Sequence, residues 1–279
     1  MLIDSHAHLE MPEFKRDLEA VIQRAKQSGV ETILTVGTEQ KDWARALEIA
    51  QSHPSIFAIL GVHPHNAKDI DGDTYSILKK LCQSEKVKAY GEIGLDFFRN
   101  LSPREVQLQR FREQIGLARE LKLPIVVHDR DAHEETVEIL KSEKAQDNGG
   151  VIHCFSGDYE MAKQCMDLGF YISVPGSITF KNAGPFQEII RKLPLESLLV
   201  ETDAPFLAPT PFRGKRNEPS YVRYTAQKVA EIKKVSFEKV AEVTTENAFR
   251  VFKLEFSSSS APHPIPLPPG ERGNNQEMK

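Results

Sequence analysis

Cysteine is scarce in this chain: Cys82, Cys154 and Cys165 are odd in number and lack the short paired spacing of a thiolate zinc site. That excludes a disulfide framework and fits reduced, buried thiols in a reducing compartment. No apolar run approaches the roughly 20 residues of a membrane span. The first residues have neither the basic stretch nor the apolar segment of a signal peptide. A cytoplasmic protein without membrane contact is expected. Positive charge is not in excess either: 36 Lys and Arg stand against 40 Asp and Glu, a net charge of −4. A broad basic surface for long nucleic acid is thereby excluded, and only a local basic patch is left.

What is present is enough for one large domain: 279 residues, 40% of them hydrophobic. Short apolar, β-rich runs occur near residues 2–4, 32–36, 57–62, 88–93, 125–127, 151–152, 170–174 and 198–201. Helical patterns lie between them. Leu18, Val21, Ile22 and Ala25 recur at helical spacing, with Gly29 as the stop. Ser102-Pro-Arg-Glu105 reads as a capping box opening a helix to Leu121, and Asp131 with Glu134 as the start of another. A helix at residues 161–168 ends at Gly169, and the last helices span about 220–253. Strands alternating with helices in this number predict a (β/α)8 TIM-type barrel over residues 1–256, with an open doubly wound sheet as the alternative. From Ser257 the composition turns to serine and then proline, at 262, 264, 266, 268 and 269. Residues 257–279 are expected to be an unstructured tail without a role.

The histidines carry the chemistry. Six of the nine, His6, His8, His63, His65, His128 and His153, stand at the ends of the apolar runs, and Glu92 and Asp203 repeat the pattern. In a (β/α)8 barrel the carboxyl ends of the strands meet at one mouth, so a metal site is predicted there. His6 and His8 sit two apart on an extended segment and share a face. Glu92 lies between Gly91 and Gly94, which let backbone and ligands approach closely. Each residue alone is compatible with a packed or hydrogen-bonded side chain; five strand ends together are not. The donors are nitrogen and oxygen without thiolate, which suits Zn²⁺, Mn²⁺ or Mg²⁺.

The ordered motifs are Asp4-Ser-His-Ala-His8-Leu9, Gly61-Val-His-Pro-His65, Gly91-Glu-Ile-Gly-Leu-Asp96, Val127-His-Asp-Arg130, His153-Cys-Phe-Ser-Gly157, Gly176-Ser-Ile-Thr-Phe-Lys181, Glu201-Thr-Asp-Ala-Pro205 and Arg213-Gly-Lys-Arg-Asn217-Glu-Pro219. Over about residues 1–253 this series resembles the TatD-type metal-dependent deoxyribonucleases, within the amidohydrolase-like barrels. The resemblance implies two divalent ions (Mg²⁺, Mn²⁺ or Zn²⁺). His6, His8, Glu92 and Asp203 would hold one, and Glu92, His128 and His153 the other. It implies 3′→5′ exonuclease action on the ends of single-stranded DNA, with RNA as a further substrate. Glu92 and Asp203 would be the catalytic pair, with Asp203 as the general base. His63 and His65 lie outside that ligand set and are candidate donors to a phosphate oxygen. Arg130, Arg213, Lys215 and Arg216 are candidates for a short positive clamp. Phe97 and Phe98 either stack a base or pack under the barrel rim. Trp43 and Cys154 are assigned to packing, and the protein is expected to be a monomer. A competing reading is C–N or ester hydrolysis of a small molecule or an aminoacyl-tRNA. Against it stands Glu92, where many amidohydrolases place a bridging lysine.

Overall fold

The computed structural model describes residues 1–254; the expected tail, 257–279, lies outside them. Eight strands run parallel in chain order: β1 (Leu2–Ala7), β2 (Val30–Gly37), β3 (Ile56–Leu60), β4 (Val87–Asp96), β5 (Ile125–Arg130), β6 (Gly150–Ile152), β7 (Phe170–Val174) and β8 (Leu198–Val200). Outside them lie α1 (Leu18–Gln27), α2 (Gln40–Ser52), α3 (Thr74–Leu81), α4 (Arg104–Leu121), α5 (His133–Ser142), α6 (Tyr159–Asp167), α7 (Gly184–Lys192), α8 (Val222–Lys233) and α9 (Phe237–Phe252). This is the (β/α)8 barrel that the alternation predicts. No helix among the described residues is long and apolar enough to cross a membrane.

The strands are near-continuous apolar runs because both of their faces are covered. In β5, Ile125 and Val127 join the large core beneath the helices, while Val126 joins a second core. That second core collects Ile3, Leu34, Ile59, Ala89, Val126, Val151 and Leu199 from seven strands against Ala248, Val251 and Phe252 of α9. Residues of seven strands converge on one helix only inside the barrel, so α9 closes its floor. Trp43 of α2 is buried and donates Nε1–H to the Gly61 carbonyl at 2.8 Å, a packing role as expected.

β1 and β8 close the barrel with few main-chain bonds. Asp203 N donates to His6 O at 2.9 Å and His8 N to Ala204 O at 2.7 Å. Side chains supply the rest. Asp4 accepts from Thr202 N (2.9 Å) and from its hydroxyl (2.6 Å), and Ser5 Oγ donates to Val200 O at 3.0 Å. Asp4 therefore fastens the seam between the two ends of the sheet.

Two helix starts differ from the sequence reading. α4 begins with Pro103 at the cap position and no side-chain cap. Ser102 instead donates to His65 O (2.8 Å) and accepts from Lys68 N (3.1 Å), so it pins the loop after β3. α5 likewise has no side-chain cap, and Asp131 stands in the left-handed region at φ 53. α6 starts two residues earlier than expected, because Asp158 accepts from Met161 N at 2.8 Å.

Candidate metal centre

The carboxyl ends of the strands bring six of the predicted residues together. His6 and His8 leave β1 on one face, with their Nε2 atoms 3.3 Å apart. Glu92 sits within β4 rather than at its end. His128 likewise lies inside β5, which runs on to Arg130, and Asp203 lies three residues past the end of β8. The close approach of β4 to β5 depends on glycine. Gly94 has φ +138, and a Cβ there would lie 2.0 Å from the His128 carbonyl oxygen.

The two oxygens of Glu92 face two separate donor sets. Oε2 lies 3.3 Å from His6 Nε2 and 4.0 Å from His8 Nε2. Asp203 Oδ1 completes that set, 3.5 Å from His8 Nε2 and 3.9 Å from His6 Nε2. Oε1 lies 2.7 Å from His128 Nδ1 and 2.9 Å from His153 Nε2. His63 stands beside this second set, its Nε2 3.3 Å from Glu92 Oε1 and 3.4 Å from His128 Nδ1. His6, His8 and Asp203 form one group that could hold a metal ion, and His63, Glu92 and His128 another. No Lys or Arg forms an ion pair with Glu92 or Asp203 among the described residues. The donor chemistry therefore fits a divalent cation on either side of Glu92.

Electrostatics point the same way. Burial alone would raise the Glu92 carboxyl, but His153, His63 and His128 outweigh it and hold Glu92 well below the usual carboxylate range. Asp203 is likewise pushed up by burial and brought below its ordinary value by His8 and His153. Burial lowers His8, His128 and His153, yet facing carboxylates raise all three: Glu10 and Asp203 for His8, Asp96 and Glu92 for His128, Glu92 and Glu201 for His153. His6 stays below the ordinary range through burial and the neighbouring His153. The facing carboxylates thus favour protonation of these three imidazoles when no cation is bound.

The other predicted residues are distributed around the rim. His63 is brought down to about 4 by burial and is a neutral imidazole at physiological pH. Its Nδ1 accepts from His65 N at 3.1 Å, so its proton is on Nε2, facing Glu92. His65 Nε2 is 2.8 Å from Asp96 Oδ2. Arg130 lies over the Phe98 ring at 4.6 Å and Arg213 over Phe180 at 4.4 Å. Phe98 is 58% exposed, whereas Phe97 is buried. Arg216 turns its fork onto Asp17, with bonds of 2.8 and 2.7 Å, and bonds the Glu13 carbonyl at 2.6 Å. That geometry makes Arg216 a strut between the loop after β8 and the start of α1. The Cys154 thiol is pushed well up by burial, so it is no ready ligand.

Three carboxylates in contact with the cluster were not singled out from the sequence. Glu10 Oε1 is 3.1 Å from His8 Nδ1, Asp96 Oδ2 is 3.2 Å from His128 Nε2, and Glu201 Oε1 is 3.2 Å from His153 Nδ1. A signal existed for one: Glu10 continues the two-residue alternation of His6 and His8. Buried glutamines of α4 steady the neighbouring strand ends. Gln107 binds both backbone groups of Asp96, and Gln114 both of Val62.

Residues 3–253 match the family described as TatD related DNase. The chain belongs to that family. As a TatD-family protein it is a metal-dependent hydrolase. It is 48% identical over 254 residues to the uncharacterized metal-dependent hydrolase YabD of Bacillus subtilis, covering 91% of this chain and 100% of that protein. The TatD-family member named 3′-5′ ssDNA/RNA exonuclease TatD in Erwinia tasmaniensis is 36% identical over 259 residues, covering 91% of this chain and 100% of that one. The crystal structure of YjjV, a TatD homologue from Escherichia coli, superposes with a TM-score of 0.86 at 34% identity, covering 91% of this chain and 98% of that chain.

Proposed function

We propose that this protein is a two-cation phosphodiesterase acting at the 3′ ends of single-stranded DNA, with activity on RNA. The observation that carries this reading is Glu92, whose two oxygens face two separate nitrogen-rich donor sets. His6, His8, Glu92 and Asp203 would hold one ion; Glu92, His128 and His153, with His63 beside them, the other. When bound, such a pair polarises a phosphoryl group and lowers the pKa of a water from about 15.7 towards roughly 7.

The chain's own groups supply the rest. Asp203, ionised at neutral pH and only partly covered, takes the proton from the attacking water. Glu92 remains a full anion and fixes the spacing of the two donor sets. At the rim, exposed Phe98 beneath the Arg130 guanidinium offers a face on which a terminal base stacks while the cation meets its phosphate. Arg213 over Phe180, with Lys215 two residues on, is a second cationic point. A few isolated cations, rather than a basic face, suit a short single strand. The relatives named ssDNA/RNA exonucleases support this substrate class.

The test is turnover of end-labelled single-stranded DNA, duplex DNA, RNA and a panel of small amides and esters by metal-loaded protein. Stepwise loss of 3′ nucleotides from single strands is expected, with Asp203→Asn slower by about 10²-fold or more. Efficient amide or ester hydrolysis without cleavage of nucleic acid would transfer the centre to the small-molecule reading.

A further inference from the structure

We propose that Glu10, Asp96 and Glu201 are positioning carboxylates of the metal centre, and that Glu201 alone serves both cation positions. This rests on the two-cation reading above. An imidazole binds a cation through one bare nitrogen, and a carboxylate on the other nitrogen fixes the tautomer, the ring orientation and the basicity. His8 gives Nδ1 to Glu10 and leaves Nε2 for the first donor set. His153 gives Nδ1 to Glu201 and leaves Nε2 for the second. His128 is reversed: its Nε2 goes to Asp96 and its Nδ1 faces Glu92. Nothing in the ligand motifs themselves sets these opposite tautomers; the three carboxylates do.

The fourth imidazole, His6, decides the role of Glu201. Its Nε2 faces Glu92, while its Nδ1 is buried without a hydrogen-bond partner. The same is true of Glu201 Oε2. The rings of His6 and His153 are stacked, with centroids 3.8 Å apart and planes 15° from parallel. One nitrogen of each ring and one oxygen of Glu201 lie within 4.8 Å of one another. Glu201 is wholly buried, and its Oε1 is already taken by His153 and by Cys154 N at 2.7 Å. Oε2 is the remaining acceptor and His6 Nδ1–H the remaining donor in one buried pocket. They satisfy each other by a small side-chain shift or through one bridging water. His6 belongs to the first donor set and His153 to the second, so a single carboxylate beneath the stacked pair holds a ligand of each.

Affinities for Zn²⁺ are measured on full-length, metal-free protein by chelator competition, with stoichiometry by elemental analysis. Imidazole ¹⁵N NMR reports the tautomers and, through the shifts of His8 and His128, which position fills. Two ions per chain are expected, with Nδ1–H on His6, His8 and His153 and Nε2–H on His128. Glu201→Gln should weaken both ions by about 10–100-fold, Glu10→Gln only the first and Asp96→Asn only the second. Wild type that binds fewer than two ions overturns the two-cation reading itself. Two ions in wild type, with Glu201→Gln weakening one position or none, overturn the role of Glu201 and leave that reading standing. If Glu201→Gln does not fold, the remaining variants and the wild-type spectrum decide. Position-selective losses with Nδ1–H on His6 support the proposal; equal losses at both positions, or Nε2–H on His6, overturn it.

Discussion

At the residue scale, Arg213 and Arg216 show how neighbours of one charge take different work. Both lie on the loop after β8 and read alike in the sequence. Arg216 spends its planar fork on Asp17, whose carboxyl is brought down to about 2 chiefly by that guanidinium. Among the described residues, Arg213 meets only an aromatic face. Arg213→Ala should raise KM several-fold with little change in kcat if, as proposed, it contacts phosphate in both ground and transition states. Arg216→Ala should leave KM within about twofold and lower Tm by roughly 2–3 °C, matching ~1 kcal/mol at most for so exposed a pair. Steady-state kinetics and thermal melts on both variants check this. The opposite pattern would make Arg216 the substrate contact. The distinction was illegible in the sequence because Asp17 is 199 positions away from Arg216.

At the element scale, the candidate metal ligands were legible and the carboxylates beside them were not. A strand end is marked by its apolar run, and imidazoles recurring at several such ends point to one shared site, so His6, His8, His128 and His153 stand out. Asp96 and Glu201 meet their histidines 32 and 48 positions away. The register of β4 on β5 selects the first pairing and the convergence of the strand ends the second, and neither shows in local spacing. Ser102 misled for a related reason: its spacing to Glu105 matches a helix cap, but the loop after β3 offers it better partners. The β4–β5 pair carries its own prediction. Gly94→Ala would force a methyl onto the His128 carbonyl in a backbone region that suits glycine. A loss of at least about 2 kcal/mol in urea unfolding is expected, with reduced metal content, because the strand bearing His128 must move. Wild-type stability in that variant would show that the two strands are not held so closely.

At the scale of the whole molecule, the barrel was readable from the alternation of strands and helices, whereas the floor formed by α9 shows only in the burial of the structure. The electrostatic load of the site was not, since it sums groups from both ends of the sheet. Its sign can be worked out. In metal-free protein His8, His128 and His153 have folded values above the ordinary ~6.5 of histidine, so their stabilisation is fully present below that pH and is lost as pH rises through the folded values. Glu92 and Asp203 act oppositely, stabilising above their ordinary values near 4 and losing this as pH falls. The Tm of metal-free protein should therefore decline from about pH 6.5 upward. A divalent cation should abolish that decline, and its uptake should release protons. Differential scanning calorimetry across pH 5–9, with and without metal, tests both; a metal-free Tm that rises through this range would contradict the charge assignment.

The seam between β1 and β8 has a consequence for the life of the chain. His6 and His8 are made well before Asp203 and the Thr202 that fastens Asp4, which follow only after some two hundred more residues. Until then the first donor set lacks a member and the barrel has no closing strand. A nascent chain is thus denied a finished hydrolytic centre until β8 and the residues just beyond it have been made, while it hangs beside the messenger that encodes it. Site residues drawn from distant parts of the sequence act as a timer, set by the order of synthesis, that withholds the hydrolytic centre from the messenger nearest to it.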